Sequence, residues 1–325
     1  MNESKWVLLY GGQGAQLPGM GRDLAEAYPA ESLYENFFQE HPAYCELFDL
    51  DAETLALSRY AQPALILFDL TIWRLLKRAG LAIGASFGLS IGEFAALATA
   101  GVYPPEAILE IAVQRAQLMS QRMARRQAEG HEEGMLAILG LEAQAVSELI
   151  RKRPELTIAN YNAPTQLVLS GPKSALAELA TAALAGGARR AVPLEVEGAF
   201  HSPIFSPDVP ELAAILSRFE ARAPEIALPL NLTGDFAKIP PDQTADAYFK
   251  EIMSAQMAAP THVDEALDRL IDAGFSHYLE ISPQPVLVPL LKRKRRDLEL
   301  ESISDLASLE AFARKYQLRL EKEHV

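Results

Sequence analysis

Ser90 is the residue whose neighbours in the sequence point most clearly to chemistry. It lies at the centre of the run Gly88-Leu89-Ser90-Ile91-Gly92, and Gly-x-Ser-x-Gly on a strand-to-helix turn exposes its serine as a nucleophile. In such a turn the backbone N–H of the next residue, Ile91, can donate to an oxyanion. A serine in front of a helix is also an ordinary helix cap. Taken alone, the run leaves a nucleophile and a helix cap as alternatives.

A serine nucleophile needs a base, and histidine is the commonest one. The chain has six histidines. His201 lies in the predicted loop that connects the end of a small subdomain to the larger body of the protein. Loops beside a cleft between two domains often carry catalytic residues. An ordinary loop histidine is the alternative. His262, after Pro260, is predicted in a turn or a first helical turn. The remaining histidines lie in polar, loop-like or terminal stretches that predict exposure to solvent: His41, His131, His277 and His324.

The segments around Ser90 predict a strand, a tight turn and a helix, as a nucleophile turn requires. Residues 82–87 form a short apolar run that predicts a strand, and residues 91–100 predict a helix. Residues 6–10 predict a buried strand that runs into a glycine-rich turn. Residues 54–79 predict a helix that Pro63 interrupts near its N-terminus. This alternation of strands and helices predicts an α/β protein.

The middle of the chain follows a different order. Apolar alternation and turn residues predict two helices among four strands in the order β-α-β-β-α-β, which is that of the ferredoxin-like unit. We therefore predict a small ferredoxin-like subdomain at residues 130–196, inserted into a large catalytic subdomain formed by residues 1–129 and 197–325. The predicted segments are strands 135–139, 156–161, 166–170 and 190–196 and helices 142–152 and 174–185.

Composition and charge exclude several classes of protein. The 325 residues carry a net charge of −13, which argues against nucleic-acid binding. The sequence shows no signal-peptide pattern, no apolar run long enough for a membrane span and no metal-ligand spacing. The lone Cys45 excludes an internal disulfide. We expect a cytoplasmic enzyme with no metal or redox cofactor. The basic run 292–296 is either a solvated helix end or a docking patch for an acidic partner.

Several short segments occur in an order and spacing that a known family shares. Residues 10–16 are similar to Phe-Pro-Gly-Gln-Gly-Ser-Gln, and residues 88–93 are similar to Gly-His-Ser-Leu-Gly-Glu. Over residues 6–292 the chain resembles the malonyl-CoA:acyl carrier protein transacylases. The resemblance implies an α/β-hydrolase-like large subdomain with a parallel sheet. The further segments that carry it are residues 115–119, 160–164, 198–201 and 231–234, Gln256 with Pro260, and residues 280–283.

The same resemblance implies a set of catalytic roles. Ser90 becomes the nucleophile and His201 the general base. The backbone N–H groups of Gln13 and Ile91 become the oxyanion hole. A backbone carbonyl at Gln256 orients the histidine in place of an acidic side chain.

The resemblance also implies a pocket for a charged acyl group. Arg115 would pair with a malonyl carboxylate through a two-bond fork, whereas without the resemblance it reads as a surface arginine on an amphipathic helix. Leu89 stands where the family usually has histidine, Gly11 where it has proline, and Ala15 where it has serine. Further substrate contacts are implied for Leu89, Asn162, Phe200 and Gln256.

The implied reaction is transfer of malonyl from malonyl-CoA to the phosphopantetheine thiol of an acyl carrier protein through a malonyl-serine intermediate. The CoA thioester enters as substrate, without a cofactor. One alternative is an acyl hydrolase that removes acyl groups from carrier proteins. A second is a non-catalytic subunit that binds carrier proteins. Arg115 favours the transferase, because a hydrolase of uncharged acyl chains has no carboxylate for a buried guanidinium to pair with.

Overall fold

The computed structural model describes residues 5–29 and 32–320, and the chain forms two compact units. The first combines Met1–Ala116, Arg222–Pro229 and Leu270–Val325, and the second combines Gln117–Ala221 and Leu230–Arg269. The second unit contains the predicted small subdomain, residues 130–196, and extends beyond it on both sides.

The first unit is built on a parallel sheet. Its elements, including one helix that continues past Ala116, are β1 (Trp6–Tyr10), α1 (Arg22–Ala27), α2 (Tyr34–Glu40), 3-10 turns at Pro42–Tyr44 and Leu47–Asp49, α3 (Ala52–Leu55), α4 (Ser58–Arg78), β2 (Ile83–Gly88), α5 (Gly92–Thr99), α6 (Pro105–Ala128), β7 (His277–Ile281), α12 (Leu287–Lys294), β8 (Glu299–Ile303) and α13 (Leu306–Lys315).

The strand order of this sheet is β2-β1-β7-β8, and every neighbouring pair is parallel. Tyr10 is in register with Gly88 on one side and with Ile281 on the other. The carboxyl ends of these strands therefore meet at one edge, where ligands of open α/β sheets bind. The predicted parallel sheet is confirmed.

Apolar sequence explains why β1 and α4 form the centre of this unit. All five residues of β1 are buried, as expected of a parallel strand covered on both faces. Helix α4 is buried continuously from Ala61 to Trp73. The predicted single helix over 54–79 is wrong in one respect, because the break lies at Leu57, whose backbone is extended. Helix α4 runs through Pro63 without ending there.

The second unit contains an antiparallel sheet. Its elements are β3 (Glu133–Leu139), α7 (Ala143–Ile150), β4 (Thr157–Ala163), β5 (Gln166–Pro172), α8 (Lys173–Ala185), β6 (Arg190–Leu194), a 3-10 helix at Pro203–Asp208, α9 (Val209–Leu216), α10 (Ala245–Gln256) and α11 (Val263–Asp272), the last of which continues past Arg269.

The strand order here is β4-β5-β3-β6, with antiparallel neighbours throughout. Helices α7 and α8 pack on the sheet through a core that includes Leu136, Val146, Leu169 and Leu179. The predicted ferredoxin-like arrangement is confirmed, and the segment ends differ from the predicted ones by at most two residues.

Candidate active site

Ser90 occupies a strained turn between β2 and α5. Its φ is +55°, in the left-handed region, and a non-glycine residue there costs about 1–3 kcal/mol. Its carbonyl accepts a hydrogen bond from Glu93 N–H at 3.1 Å, and the preceding Leu89 donates its N–H to Tyr10 O at 3.0 Å. The turn is thus fixed on both sides of the serine. This backbone geometry favours the nucleophile over the helix cap.

Glycine is required in this turn because two backbones approach closely. A Cβ at Gly92 would lie 2.6 Å from the carbonyl oxygen of Tyr10, and a Cβ at Gly12 would lie 3.0 Å from the carbonyl oxygen of Leu89. Both distances are too short for a methyl group to fit without movement of the backbone. The loops that follow β1 and β2 therefore pack against each other only because these positions lack side chains.

The amides of Gln13 and Ile91 lie just beyond the carboxyl ends of the neighbouring strands β1 and β2. Neither N–H donates to any atom in residues 5–29 and 32–320. Ile91 is also the N-cap residue of α5, where the positive end of the helix dipole favours anions. These two amides are suited to stabilise a developing oxyanion.

Arg115 is a buried side chain in α6, with only 1% of its surface exposed. Its Nη1 donates to Gln62 Oε1 at 2.6 Å, and its guanidinium lies 5.3 Å from the centre of the Phe94 ring. Burial lowers the pKa of Arg115 to about 10, while the Glu93 carboxylate acts in the opposite direction. Arg115 is still a cation at neutral pH, and it is not the exposed arginine of the alternative interpretation.

A glutamine network joins Arg115 to the oxyanion loop. Gln62, which accepts from Arg115, donates its Nε2 to Gln13 Oε1 at 3.3 Å. Gln13 donates in turn to Ala56 O at 3.1 Å and to Ser58 Oγ at 3.2 Å. Gln62 is a residue of this network that the sequence did not predict. The available signal was an amide side chain directly before a proline and a run of apolar residues.

His201 is 3% exposed and lies in the second unit. Its φ is +54°. Its Nδ1 lies 3.0 Å from the carbonyl oxygen of Gln256 and 3.1 Å from that of Ala259. Because carbonyls only accept hydrogen bonds, Nδ1 carries the proton in the neutral ring and Nε2 has a lone pair for a substrate proton.

Gln256 is the last residue of α10 and is fully buried. The last carbonyls of a helix lack hydrogen-bond partners within the helix. The His201 ring supplies a partner for the carbonyl of Gln256. The negative end of the helix dipole also stabilises a positive imidazolium. The contact between His201 Nδ1 and the Gln256 carbonyl is present in the structure, and its role in orienting the ring stays a prediction.

The other predicted substrate contacts occupy varied settings. Asn162 is buried on β4, and its Oδ1 has no hydrogen-bond partner among the described residues. Phe200 is buried, with its ring 6.0 Å from that of Phe205. Leu89 is half-buried, and its side chain lies against Gly12.

Two of the predictions for the remaining histidines are wrong. His277 is half-buried at the start of β7, with its ring 5.4 Å from that of Trp6. His41 is also half-buried, with its Nε2 3.3 Å from a carboxylate oxygen of Glu110. His131 is exposed as predicted, and His324 lies outside the described residues.

The basic run 292–296 occupies the last turn of α12 and the residues after it. Strand β8 begins shortly afterwards at Glu299, which is in register with His277, the first residue of β7. The run is therefore near the edge where the parallel strands begin, whereas Ser90 follows the edge where they end. This location favours the helix-end interpretation over a docking patch.

Within residues 5–29 and 32–320, no group of three or more histidine, cysteine, aspartate or glutamate side chains has the arrangement of a metal site. None of the helices in this described part of the chain combines the length and apolar composition needed to span a bilayer.

Comparison with known proteins relates this geometry to a family. Residues 7–318 match the acyl transferase domain family. A malonyl CoA-acyl carrier protein transacylase from Bacillus subtilis is 31% identical over 317 residues, covering 94% of this chain and 96% of that protein.

Solved structures agree. An acyl carrier protein S-malonyltransferase from Vibrio cholerae is 30% identical, with a TM-score of 0.82 over 95% of this chain and 100% of that one. A malonyl-transacylase solved in complex with its type II PKS acyl-carrier protein is 27% identical, with a TM-score of 0.83 over 96% and 100%. The chain belongs to the acyl transferase domain family and is an acyltransferase.

Proposed function

We propose that this acyltransferase moves a malonyl group from malonyl-CoA to the phosphopantetheine thiol of an acyl carrier protein, with Ser90 as the covalent carrier. The observation that carries the proposal is the burial of the Arg115 cation in the same unit as the Ser90 turn. A buried planar guanidinium is suited to bind an anion through several N–H donors. A malonyl carboxylate is such an anion, and acetyl lacks it.

The surroundings of Arg115 support an anionic substrate. Gln62 is neutral, so its 2.6 Å contact orients the guanidinium without neutralising it. The Glu93 carboxylate, in the first turn of α5, acts to raise the pKa of Arg115 and so favours its charged form. A planar guanidinium can pair with a carboxylate through two parallel hydrogen bonds, which an ammonium cannot reproduce.

In the proposed first half-reaction, Ser90 Oγ attacks the thioester carbon of malonyl-CoA. His201 Nε2 takes the hydroxyl proton, and the Gln256 and Ala259 carbonyls hold the ring through Nδ1. The amides of Gln13 and Ile91 donate to the oxyanion. The C–S bond then breaks, His201 returns the proton to the departing thiolate, and CoA leaves.

The second half-reaction repeats these steps with a different nucleophile. The phosphopantetheine thiol gives its proton to His201 Nε2 and attacks the carbonyl of the malonyl-serine ester. The ester C–O bond breaks, and the proton passes to Ser90 Oγ. The relatives named above support this acceptor, since two are named for acyl carrier protein and one was solved bound to it.

The thioester is already an activated acyl group, so the proposed mechanism uses no metal or redox cofactor. Because CoA thioesters are intracellular compounds, we place the reaction in the cytoplasm.

An intact-mass experiment tests the proposal. Wild-type protein mixed with malonyl-CoA should release CoA in a burst and gain a malonyl adduct on Ser90. Adding a holo acyl carrier protein should then move the adduct to the carrier. Ser90→Ala should acquire no adduct, and acetyl-CoA serves as the matched donor without a carboxylate. Slow malonyl transfer together with fast cleavage of uncharged acyl-carrier thioesters would identify a hydrolase instead.

A further inference from the structure

The loop that carries His201 lies against the second half of helix α6. Ser120 Oγ donates to Glu197 Oε2 at 3.0 Å. Met123 covers Gly198 so closely that a Cβ at this position would lie 2.7 Å from Met123 Cγ. These contacts fix the loop on the side that precedes His201.

A two-bond ion pair fixes the chain on the other side. Arg122 Nε donates to Asp208 Oδ2 and Arg122 Nη2 donates to Asp208 Oδ1, both at 2.7 Å. The two side chains are only 19% and 8% exposed. Such a fork fixes direction as well as distance, which a single hydrogen bond does not.

Asp208 ends the 3-10 helix Pro203–Asp208 and directly precedes α9. Its backbone is helical, with φ −94° and ψ −11°, whereas a capping aspartate usually has an extended backbone. Its side chain accordingly makes no capping hydrogen bond. The carboxylate is directed to Arg122 instead.

The backbone of His201 requires support of this kind. A left-handed φ of +54° at a non-glycine residue persists only where the surroundings impose it. Local hydrogen bonds supply part of that support, since Ser202 Oγ donates to Ala199 O at 2.6 Å and Ser170 Oγ donates to Phe200 O. The Arg122–Asp208 fork holds the chain where it leaves this cluster.

We propose that Arg122 and Asp208 are positioning residues that act through His201. Their ion pair holds residues 202–208 against α6, so that the strained His201 backbone keeps the imidazole on the Gln256 carbonyl with Nε2 turned away from it. The inference rests on the proposed role of His201 as the general base.

A second ion pair on the same helix provides the matched control. Arg126 Nη2 donates to Glu133 Oε1 at 2.5 Å, and Arg126 Nε donates to the same oxygen at 3.1 Å. The side chains are 25% and 3% exposed, so burial is similar. This pair fastens the start of β3 rather than the histidine loop. Its loss should cost stability alone.

The experiment compares Arg122→Gln with Arg126→Gln and with wild type. Each protein is assayed for kcat and KM with malonyl-CoA, for the rate at which a fluorophosphonate probe labels Ser90, and for Tm. We expect Arg122→Gln to lower kcat and the labelling rate about tenfold, since misplacement of a catalytic group by about 1 Å can cost up to about 10²-fold. KM should stay within about twofold. Arg126→Gln should lower Tm to a similar extent and leave both rates at the wild-type level.

A double-mutant cycle with His201→Ala separates positioning from a general structural effect. In the His201→Ala background, Arg122→Gln should cause no further loss of labelling rate. Three outcomes would overturn the proposal. The two arginine variants could lose rate equally, or Arg122→Gln could keep the wild-type rates. Arg122→Gln could also lower the labelling rate further in the His201→Ala background. Asp208→Asn, which keeps the side-chain shape, replaces Arg122→Gln if that variant does not fold. The labelling rate needs no malonyl-CoA, so failure of the malonyl proposal would leave this test intact.

Discussion

Gln62 Oε1 accepts a 2.6 Å hydrogen bond from Arg115 Nη1, and the Nε2 of the same glutamine donates to Gln13 at 3.3 Å. One amide group therefore contacts both the proposed carboxylate-binding cation and the residue whose N–H is proposed to bind the oxyanion. Because an amide has separate donor and acceptor ends, it can serve both partners at once. The proposed carboxylate-binding cation and the proposed oxyanion loop are thus joined by a single side chain.

Removing the Arg115 guanidinium should change the choice of donor. Hydrogen bonds to charged groups contribute about 1.5–3 kcal/mol each, so loss of a two-bond fork predicts a fall of about 10²-fold or more in kcat/KM with malonyl-CoA for Arg115→Ala. Acetyl-CoA has no carboxylate to form such a fork, so its kcat/KM should rise relative to that of malonyl-CoA. The measurement is the ratio of the two kcat/KM values, with Arg115→Lys as the variant that keeps a charge without the planar fork. An unchanged ratio would mean that Arg115 does not hold the carboxylate.

A charge placed at Gln62 should compete with the substrate for Arg115. The substitution Gln62→Glu keeps the side-chain shape and puts a carboxylate next to the guanidinium. We expect KM for malonyl-CoA to rise about tenfold, the equivalent of about 1.4 kcal/mol, with a smaller effect on acetyl-CoA. Gln62→Met is the matched control, because it breaks the network without adding an anion. Equal KM values in the two variants would rule out competition for Arg115.

Local patterns in the sequence were sufficient for most of the fold. The predicted strand 6–10 coincides with β1, because five consecutive apolar residues before glycines suit a buried parallel strand. The β-α-β-β-α-β order was readable because turn residues separate short segments of clear periodicity. The break at Leu57 was missed, since it depends on backbone dihedrals that an apolar residue does not signal.

The contacts of the candidate site were harder to predict from the sequence, because they join residues that are far apart along the chain. Gln62 and Arg115 are 53 residues apart, and no spacing rule links them. His277 was misjudged for a related reason. It follows a serine in a polar-looking stretch, but it begins a central strand and is covered by Trp6 from the start of the chain. Only the pairing of β1 with β7 brings that ring into place.

The close packing of the loops after β1 and β2 predicts a severe effect for Gly92→Ala. The added methyl would lie 2.6 Å from Tyr10 O, and overpacking of a closed site costs about 1–3 kcal/mol. We expect a lower Tm and slower fluorophosphonate labelling, because the Ser90 turn must shift. Gly134→Ala is the control, since its nearest neighbour is Lys173 Cγ at 3.1 Å, in a side chain that can move. If Gly92→Ala labels and unfolds like wild type, the contact with Tyr10 does not constrain the turn.

Asp69 predicts a pH dependence of stability that is separate from catalysis. This residue in α4 is 1% exposed, and neither carboxylate oxygen has a hydrogen-bond partner among the described residues. Burial raises the pKa of Asp69 well above its ordinary value, and the negative charge of Glu280 raises it further. The folded protein therefore binds a proton at this site that the unfolded chain releases above about pH 4.

The sign of the effect follows from proton linkage. Where the folded state holds more protons than the unfolded state, the free energy of unfolding falls as pH rises. The contribution of Asp69 to the free energy of unfolding is fully present below about pH 4, the pKa of an aspartate in the unfolded chain. It is lost as pH rises through the raised pKa of Asp69 in the folded protein. The free energy of unfolding falls by up to about 1.4 kcal/mol per pH unit in this range.

Asp69→Asn keeps the shape of the side chain and removes its titration. We expect the free energy of unfolding of wild type to fall relative to that of Asp69→Asn between pH 5 and pH 8, measured by urea denaturation at both values. Asp51→Asn is the control, because Asp51 is exposed and its pKa is lowered by hydrogen bonds to Thr54, so it should give no decline of this sign. Parallel stability curves for wild type and Asp69→Asn would show that Asp69 is ionised in the folded protein, with a cation or water satisfying it.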